Sequence, residues 1–220
     1  MTPFEASRIT EALCRRAPVI PVLVIEDAAQ ARPLAKALVA GGLPVLEVTL
    51  RTPAALEAIH EMSRVGGGTV GAGTLITPKD VAAAKAAGAQ FGVSPGATAT
   101  LVQAAADEEM PLLPGAATAS EAMALAERGY TMQKFFPAEA IGGVAALKSL
   151  AGPLPHIRFC PTGGVTPANA GSYLALSNTL CVGGSWVAPA ELVRRGDWAA
   201  ITELARAAAA LPGKPAEYVA

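Results

Sequence analysis

One lysine lies in an apolar stretch, where a role as a reactive amine explains its position better than exposure to solvent does. The stretch QKFFPAE, residues 133–139, places Lys134 at the end of an apolar run and before two phenylalanines. The chain has six lysines in 220 residues, and most of the others lie in helix-like, solvent-facing sequence. Burying an ammonium group is costly unless it is paired or gives up its proton. A neutral buried amine is a nucleophile that can attack a ketone and form a Schiff base.

A second polar set lies in LEVTLR, residues 46–51. Side chains alternate along a strand, so Glu47, Thr49 and Arg51 share one face, and the apolar residues between them share the other. The apolar face should pack beneath helices, which turns the polar face inward. One interpretation is a structural ion pair between Glu47 and Arg51, because buried charges often pair.

The same alternation turns Lys134 inward together with Phe136, with Met132 below them. One interpretation is that Lys134 pairs with Glu47 for stability. The other is that Lys134 is a nucleophile, because desolvation by neighbours such as Phe136 and the positive charge of Arg51 would favour the neutral amine.

Two glycine pairs follow later strand-like runs, in PTGGV (161–165) and in VGGS (182–185). Glycines at such positions let backbone N–H groups approach a phosphate, although turns use the same pairs routinely. Thr74 in GAGT and Pro95 in SPG lie at comparable strand ends. They would shape a pocket or serve as ordinary turns.

These residues need elements that bring them to one edge, and the chain shows a regular strand–helix rhythm. Short apolar runs alternate with alanine-rich stretches of helical periodicity, about 23 residues per unit. The eight runs span residues 19–25, 44–50, 68–73, 89–94, 110–115, 130–136, 156–161 and 179–184.

Helix boundaries support this rhythm. Thr-Pro pairs at 52–53, 77–78 and 166–167 predict helix starts, and glycines at 41–42, 88 and 129 predict helix ends. Alternating strands and helices imply parallel crossovers, and eight units close naturally into a (β/α)₈ TIM barrel with catalytic groups at the carboxyl ends of its strands. The alternative is a doubly wound open sheet, but PVLVIEDAAQ lacks a dinucleotide fingerprint.

The predicted organisation is a single domain over residues 1–220. The stretch ASRITEALCRR, residues 6–16, predicts an extra N-terminal helix that caps the barrel bottom. No linker or composition shift indicates a second domain.

Composition excludes several functional classes. Apolar residues make up 52% of the chain, charged residues 16%, and the net charge is −1, which argues against disorder and against nucleic-acid binding. No apolar segment is long enough to span a bilayer, and Pro21 interrupts the only run that resembles an export signal. We therefore expect a cytoplasmic protein.

The three cysteines, Cys14, Cys160 and Cys181, and two distant histidines show no metal-ligand spacing. We expect reduced cysteines and no metal. An inward lysine, a carboxylate, an arginine and a phosphate cradle then fit carbon–carbon chemistry on a phosphorylated keto acid through an imine.

Several motifs carry a family resemblance. They are LEVTLRT (46–52), VGAGT (70–74), AQFGVSPG (89–96), KFFPAE (134–139), RFCPTGGVTPAN (158–169) and LCVGGSW (180–186). In this order, from about residue 15 to residue 190, they closely resemble the 2-keto-3-deoxy-6-phosphogluconate aldolases, class I aldolases of the Entner–Doudoroff pathway.

The resemblance implies catalytic roles for Lys134, as the Schiff-base lysine, and Glu47, as the acid/base residue. It implies that Arg51 binds the substrate carboxylate. The residues implied around the pyruvyl part are Thr74, Pro95 and Phe136. Thr162 matches a contact to the hydroxyl-bearing segment and favours the gluconate substrate over its galactonate epimer. The residues implied at the phosphate end are Gly163, Gly164, Gly183, Gly184 and Ser185.

The implied reaction cleaves 2-keto-3-deoxy-6-phosphogluconate into pyruvate and glyceraldehyde 3-phosphate without a cofactor. Relatives also cleave 4-hydroxy-2-oxoglutarate and decarboxylate oxaloacetate, and they are homotrimers. The alternatives are an aldolase for the galactonate epimer or for 4-hydroxy-2-oxoglutarate, and a non-catalytic barrel that binds a phosphorylated metabolite.

Overall fold

A computed structural model describes residues 1–213; residues 214–220, which the single-domain prediction includes, lie outside the described residues. The strands are β1 Val19–Leu23, β2 Val45–Thr49, β3 Thr69–Gly73, β4 Gly92–Val93, β5 Leu112–Leu113, β6 Gly115–Ala116, β7 Met132–Phe135, β8 Arg158–Pro161 and β9 Val182–Gly184. The α-helices are α1 Pro3–Cys14, α2 Ala31–Ala40, α3 Ala55–Ser63, α4 Pro78–Ala86, α5 Ala99–Asp107, α6 Ala119–Glu127, α7 Gly143–Ala151, α8 Pro167–Leu174, α9 Ala190–Arg195 and α10 Trp198–Ala209. Short 3₁₀ segments cover Ala28–Gln30 and Glu139–Ile141.

The strands form a parallel α/β sheet that curls into a half-barrel. Six strands pair in the order β5-β4-β3-β2-β1-β9, and three more pair in the order β6-β7-β8. The first strand therefore lies between the second and the last, an order that a doubly wound sheet of the ordinary kind does not have. Two isolated parallel bridges, Phe159↔Thr179 and Thr162↔Gly183, link the two groups of strands.

The fifth predicted run is divided into two strands. Proline at position 114 separates β5, which pairs with β4, from β6, which pairs with β7. Proline has no N–H to donate to a ladder, but the Pro114 carbonyl still accepts from the Lys134 N–H at 2.8 Å. The chain thus changes partners at the strand next to Lys134.

The two faces of the sheet have separate apolar cores. Outward residues such as Leu46 and Phe135 join a large cluster with the helices. Inward residues such as Val45 and Met132 join a smaller cluster inside the curved sheet, together with the three cysteines. This division confirms the predicted strand alternation. Glu47 lies two residues after the inward Val45, and Lys134 lies two residues after the inward Met132.

Most of the predicted helix boundaries are observed. Thr77 and Thr166 are N-caps of α4 and α8, each in a reciprocal capping box. The predicted cap at Thr52 is wrong, because α3 begins at Ala55 and the Thr52 hydroxyl donates to the Ile25 carbonyl at 2.5 Å. This tertiary contact ties the end of β2 to the end of β1.

Helix α1 supports the strand that carries Lys134. The Ser7 hydroxyl oxygen accepts from the N–H groups of Thr131 and Met132, both at 2.9 Å. Ser7 and Met132 are buried, so the Met132 N–H has no access to water as a substitute acceptor, and the Thr131 N–H is partly buried.

We expect Ser7→Ala to lower the free energy of unfolding by about 1–3 kcal/mol, because it leaves buried donors unpaired. Urea denaturation measures this. The matched control is Ser149→Ala, which removes an exposed hydroxyl on α7 and should change stability by no more than about 0.5 kcal/mol. Equal losses for the two variants would contradict the role given to Ser7.

Candidate active site

Lys134 and Glu47 meet inside the curved sheet. The Lys134 Nζ lies 3.2 Å from Glu47 Oε1, and the two side chains are only 5% and 4% exposed. The residues come from β7 and β2, 87 positions apart in the chain. Of the pairings open from the sequence, the structure forms Lys134–Glu47 rather than Glu47–Arg51.

The space for this pair comes from a glycine on a neighbouring strand. Gly73 is in register with Thr49 on β2. A Cβ at Gly73 would overlap the Glu47 carboxylate. The spacing of glycines in GTVGAG was a signal for this close approach that the sequence reasoning did not use.

Phe136 forms the wall beside the amine. Its ring centroid lies 5.2 Å from Lys134 Nζ, within range of a cation–π interaction. The following Phe136–Pro137 peptide bond is cis. The aromatic ring therefore lies beside an amine whose side chain is only 5% exposed, and it limits the contact of that amine with water.

Arg51 lies beyond the end of β2 and is exposed. Its Nε donates to the Thr74 hydroxyl at 3.3 Å, and Thr74 has a positive φ of 63°. Within residues 1–213, Arg51 makes no ion pair. The guanidinium is consequently available to an anionic ligand.

A cavity of about 460 Å³ opens at this end of the strands. Eight of the residues predicted from the sequence line it: Arg51, Phe136, Thr162, Gly163, Gly164, Gly183, Gly184 and Ser185. Lys134 and Glu47 are not among the residues that line it, but Lys134 lies next to Phe136, which does. Thr74 contacts Arg51, and Pro95 packs its carbonyl against Gly115, so neither of these two lines the cavity.

The sequence reasoning missed several cavity residues. Val22 and Val24 come from β1 and the residue after it, and Pro137, Glu139 and Ala140 follow β7. The alternation in PVLVI and the position of PAE after Phe136 were usable signals for their location.

The loop after β8 has the features of an anion site. Gly163 and Gly164 have φ values of +99° and +79°, which side chains with a Cβ rarely adopt. Within residues 1–213, the N–H groups of Gly164, Val165 and Ser185 have no hydrogen-bond acceptor. Unpaired N–H groups beside a cavity can bind phosphate oxygens.

Thr162 also faces the interior, and it depends on Gly183 for space. Thr162 is 6% exposed, and a Cβ at Gly183 would overlap its hydroxyl. Gly183 therefore contributes to the site by leaving room for a neighbouring side chain as well as by lining the cavity.

The three cysteines lie together below Lys134, and all are free thiols. Hydrogen bonds with Cys14 and Cys181, and the nearby charge of Lys134, hold the pKa of Cys160 well below its ordinary value. The hydrogen bond to Cys160, followed by burial, raises the pKa of Cys14. Hydrogen bonds to Cys14 and Cys160, followed by burial, raise the pKa of Cys181. In the described part of the chain, no group of three or more His, Cys, Asp or Glu residues is placed to hold a metal ion. No helix there is long and apolar enough to cross a membrane.

Comparison with known proteins identifies the family. The family model for KDPG and KHG aldolase matches residues 10–204. The 2-dehydro-3-deoxy-phosphogluconate aldolase of Zymomonas mobilis is 54% identical over 203 residues, which cover 92% of this chain and 96% of that protein. The KHG/KDPG aldolase of Escherichia coli K12 is 51% identical over 199 residues, covering 90% and 93%.

Solved structures agree with this. The crystal structure of the Zymomonas mobilis aldolase with 3-phosphoglycerate has a TM-score of 0.90 and 53% identity, covering 96% of this chain and 98% of that one. A Legionella pneumophila KDPG aldolase, with pyruvate captured as a covalent carbinolamine, has a TM-score of 0.88 and 47% identity, covering 91% and 98%.

The fold is an α/β half-barrel with a buried lysine–glutamate pair inside it, and solved structures very similar to it are aldolases, one of which holds pyruvate as a covalent carbinolamine. This chain belongs to the KDPG and KHG aldolase family, and the resemblance found in its motifs is confirmed.

Proposed function

We propose that this chain is a class I aldolase that cleaves 2-keto-3-deoxy-6-phosphogluconate into pyruvate and glyceraldehyde 3-phosphate. The observation that carries the proposal is the buried Lys134–Glu47 contact beside a cavity with an arginine and unpaired N–H groups on its wall. Such a cavity suits a substrate with a carboxylate and a phosphate at opposite ends.

The reaction begins when the Lys134 amine attacks the C2 ketone to form a carbinolamine, which loses water to give a protonated imine. The imine accepts the electron pair of the C3–C4 bond as that bond breaks. Glu47, acting through water, takes the proton of the C4 hydroxyl, and the fragment that carries C4 leaves as the aldehyde. Protonation of the enamine and hydrolysis of the imine then release pyruvate and restore Lys134.

Glu47 moves these protons because it touches the amine at 3.2 Å and is shielded from bulk water. The protonated imine formed on Lys134 is the electron sink, so the proposed chemistry uses no metal and no organic cofactor. Arg51 binds the substrate carboxylate through its planar guanidinium. Thr74 orients Arg51, and Phe136 forms the wall of the pyruvyl pocket. Pro95, which the resemblance also assigns to this pocket, acts from outside the cavity wall.

The distal end of the substrate lies along the glycine loops. Thr162 contacts its hydroxyl-bearing segment. The phosphate binds the backbone at Gly163, Gly164, Gly183 and Gly184 and the hydroxyl of Ser185. The exposed position of Ser185 and the unpaired N–H groups nearby support this assignment.

A second activity is 4-hydroxy-2-oxoglutarate cleavage, which the name of the Escherichia coli relative, KHG/KDPG aldolase, supports. The same imine also permits oxaloacetate decarboxylation. Cleavage of the galactonate epimer is the alternative main activity, and the 29% identity to a KDPGal structure, against 53% to the gluconate enzyme, favours the gluconate substrate.

We further propose that the strands close into a complete (β/α)₈ barrel forming one domain, with α1 capping its bottom. The pairing of β1 with β9, and the isolated bridges Phe159↔Thr179 and Thr162↔Gly183, support closure. A homotrimeric assembly is supported by exposed apolar side chains such as Ile76, and a cytoplasmic location by the three free cysteines.

Comparing kcat/KM for the gluconate substrate, its galactonate epimer and 4-hydroxy-2-oxoglutarate tests the proposed substrate. We expect the phosphorylated gluconate substrate to be preferred, because only it satisfies Thr162 and the glycine loops together. Activity should persist in excess EDTA. Equal kcat/KM values for substrates with and without a phosphate would show that the glycine loops have another role.

Variants of the buried pair separate a catalytic role from a structural one. Lys134→Met leaves Glu47 buried and unpaired, so we expect a loss of about 3–5 kcal/mol of stability together with loss of cleavage. Glu47→Gln should lower the rate by about 10²–10⁴. The double variant Lys134→Met/Glu47→Leu should regain stability, because apolar replacement of a whole buried pair is often neutral or stabilising. If the pair were purely structural, the double variant would regain activity together with stability. We expect the double variant to have no activity.

A further inference from the structure

Glu139 occupies an unexpected position for an acidic residue. Among the residues that the structure describes, it is the only carboxylate on the cavity wall, next to the loop assigned to phosphate. Within residues 1–213 it makes no ion pair with any lysine, arginine or histidine. A carboxylate repels a phosphate, so its presence calls for a role other than direct binding.

The Glu139 carboxylate is held by a buried tyrosine. The hydroxyl of Tyr173, on α8, donates to Glu139 Oε1. Tyr173 is fully buried, and burial, followed by the hydrogen bond to Glu139, raises the pKa of its phenol well above the ordinary value. The phenol therefore remains protonated, and remains a donor, throughout the physiological pH range.

Glu139 also contacts both glycines of the loop after β8. Its N–H donates to the Gly163 carbonyl at 3.0 Å. Its Cγ and Cβ fill the place that a Cβ on Gly164 would take, at 2.6 and 2.7 Å from it. The loop is thus packed directly against the Glu139 side chain, which Tyr173 keeps in one position.

The opposite side of the loop is held by α8. Asn169 Nδ2 donates to the Gly164 carbonyl at 3.2 Å. With the carbonyls of both glycines occupied, the unpaired groups of the loop are the N–H groups of Gly164 and Val165. Arg51 is the only cation on the described cavity wall, so phosphate affinity depends on how well these N–H groups are placed.

We propose that Tyr173 and Glu139 are positioning residues for the phosphate end of the substrate, acting through their hydrogen bond on the loop formed by residues 163–165. This inference rests on the proposed function, because it takes the loop to be the phosphate site. Neither residue is assigned a contact with the substrate.

The test is Tyr173→Phe, which keeps the buried ring and removes only the hydroxyl. We expect KM for the phosphorylated gluconate substrate to rise about tenfold, as for loss of a hydrogen bond to a charged group, with kcat little changed. The inhibition constant of inorganic phosphate should rise in parallel. For 4-hydroxy-2-oxoglutarate, which has no phosphate, kcat/KM should stay within about twofold.

Three further variants, Glu139→Ala, the double variant Tyr173→Phe/Glu139→Ala and Tyr130→Phe, distinguish positioning from general damage. Glu139→Ala should reproduce the rise in KM, and the double variant should add little to either single change, because the two residues act as one unit. Tyr130→Phe is the matched control, since it removes the hydroxyl of another buried tyrosine with no assigned role in the site. It should leave both substrates unaffected.

An equal loss on both substrates, or unchanged kinetics in Tyr173→Phe while the wild type depends on the phosphate, would overturn this inference alone. A wild-type enzyme indifferent to the phosphate would overturn the proposed phosphate site and this inference with it. A selective rise in KM for the phosphorylated substrate supports both.

Discussion

The contact between Lys134 and Glu47 places a requirement on the surrounding strands, and those strands satisfy it. Two charged groups with exposed fractions of 5% and 4% are stable only if each satisfies the other and if nothing occupies the space between them. Gly73 provides that space, because any side chain there would displace the carboxylate. The glycine on β3 is therefore as necessary to the site as the charged residues on β2 and β7.

The interior has two layers with different physical roles. Below the pair, Met132, Val45 and the three cysteines fill the space within the sheet with apolar and weakly polar atoms. Above it, the cavity wall includes the backbone of four glycines and one arginine, Arg51. The buried amine therefore lies in a drier environment than the polar groups of the cavity wall.

Local sequence patterns predicted the directions of side chains well. Side chains alternate along a strand with a period of two, so their directions follow from the sequence without knowledge of the tertiary fold. Glu47 and Lys134 point inward as the alternation indicates, and Thr77 and Thr166 cap helices as their sequence signals indicate. Thr52 carries the same signal, but its hydroxyl is taken by the Ile25 carbonyl of another strand. A cap prediction fails where such a tertiary acceptor competes.

Contacts between distant parts of the chain were not predictable from spacing. The sequence left open whether Glu47 would pair with Arg51, four residues away, or with Lys134, 87 residues away. It gave no indication that Tyr173 reaches Glu139, and the division of the fifth run at Pro114 depends on which strands lie on either side. The family resemblance assigned roles to single residues, but only the structure shows which of them support one another.

The central claim is that Lys134 is the covalent nucleophile, and trapping with borohydride tests it most directly. The protein is reduced in the presence of pyruvate, and its peptides are mapped by mass spectrometry. We expect a pyruvyl adduct on the peptide that contains Lys134, and none in Lys134→Met. An unmodified Lys134 after reduction, or an adduct on a different lysine, would contradict it.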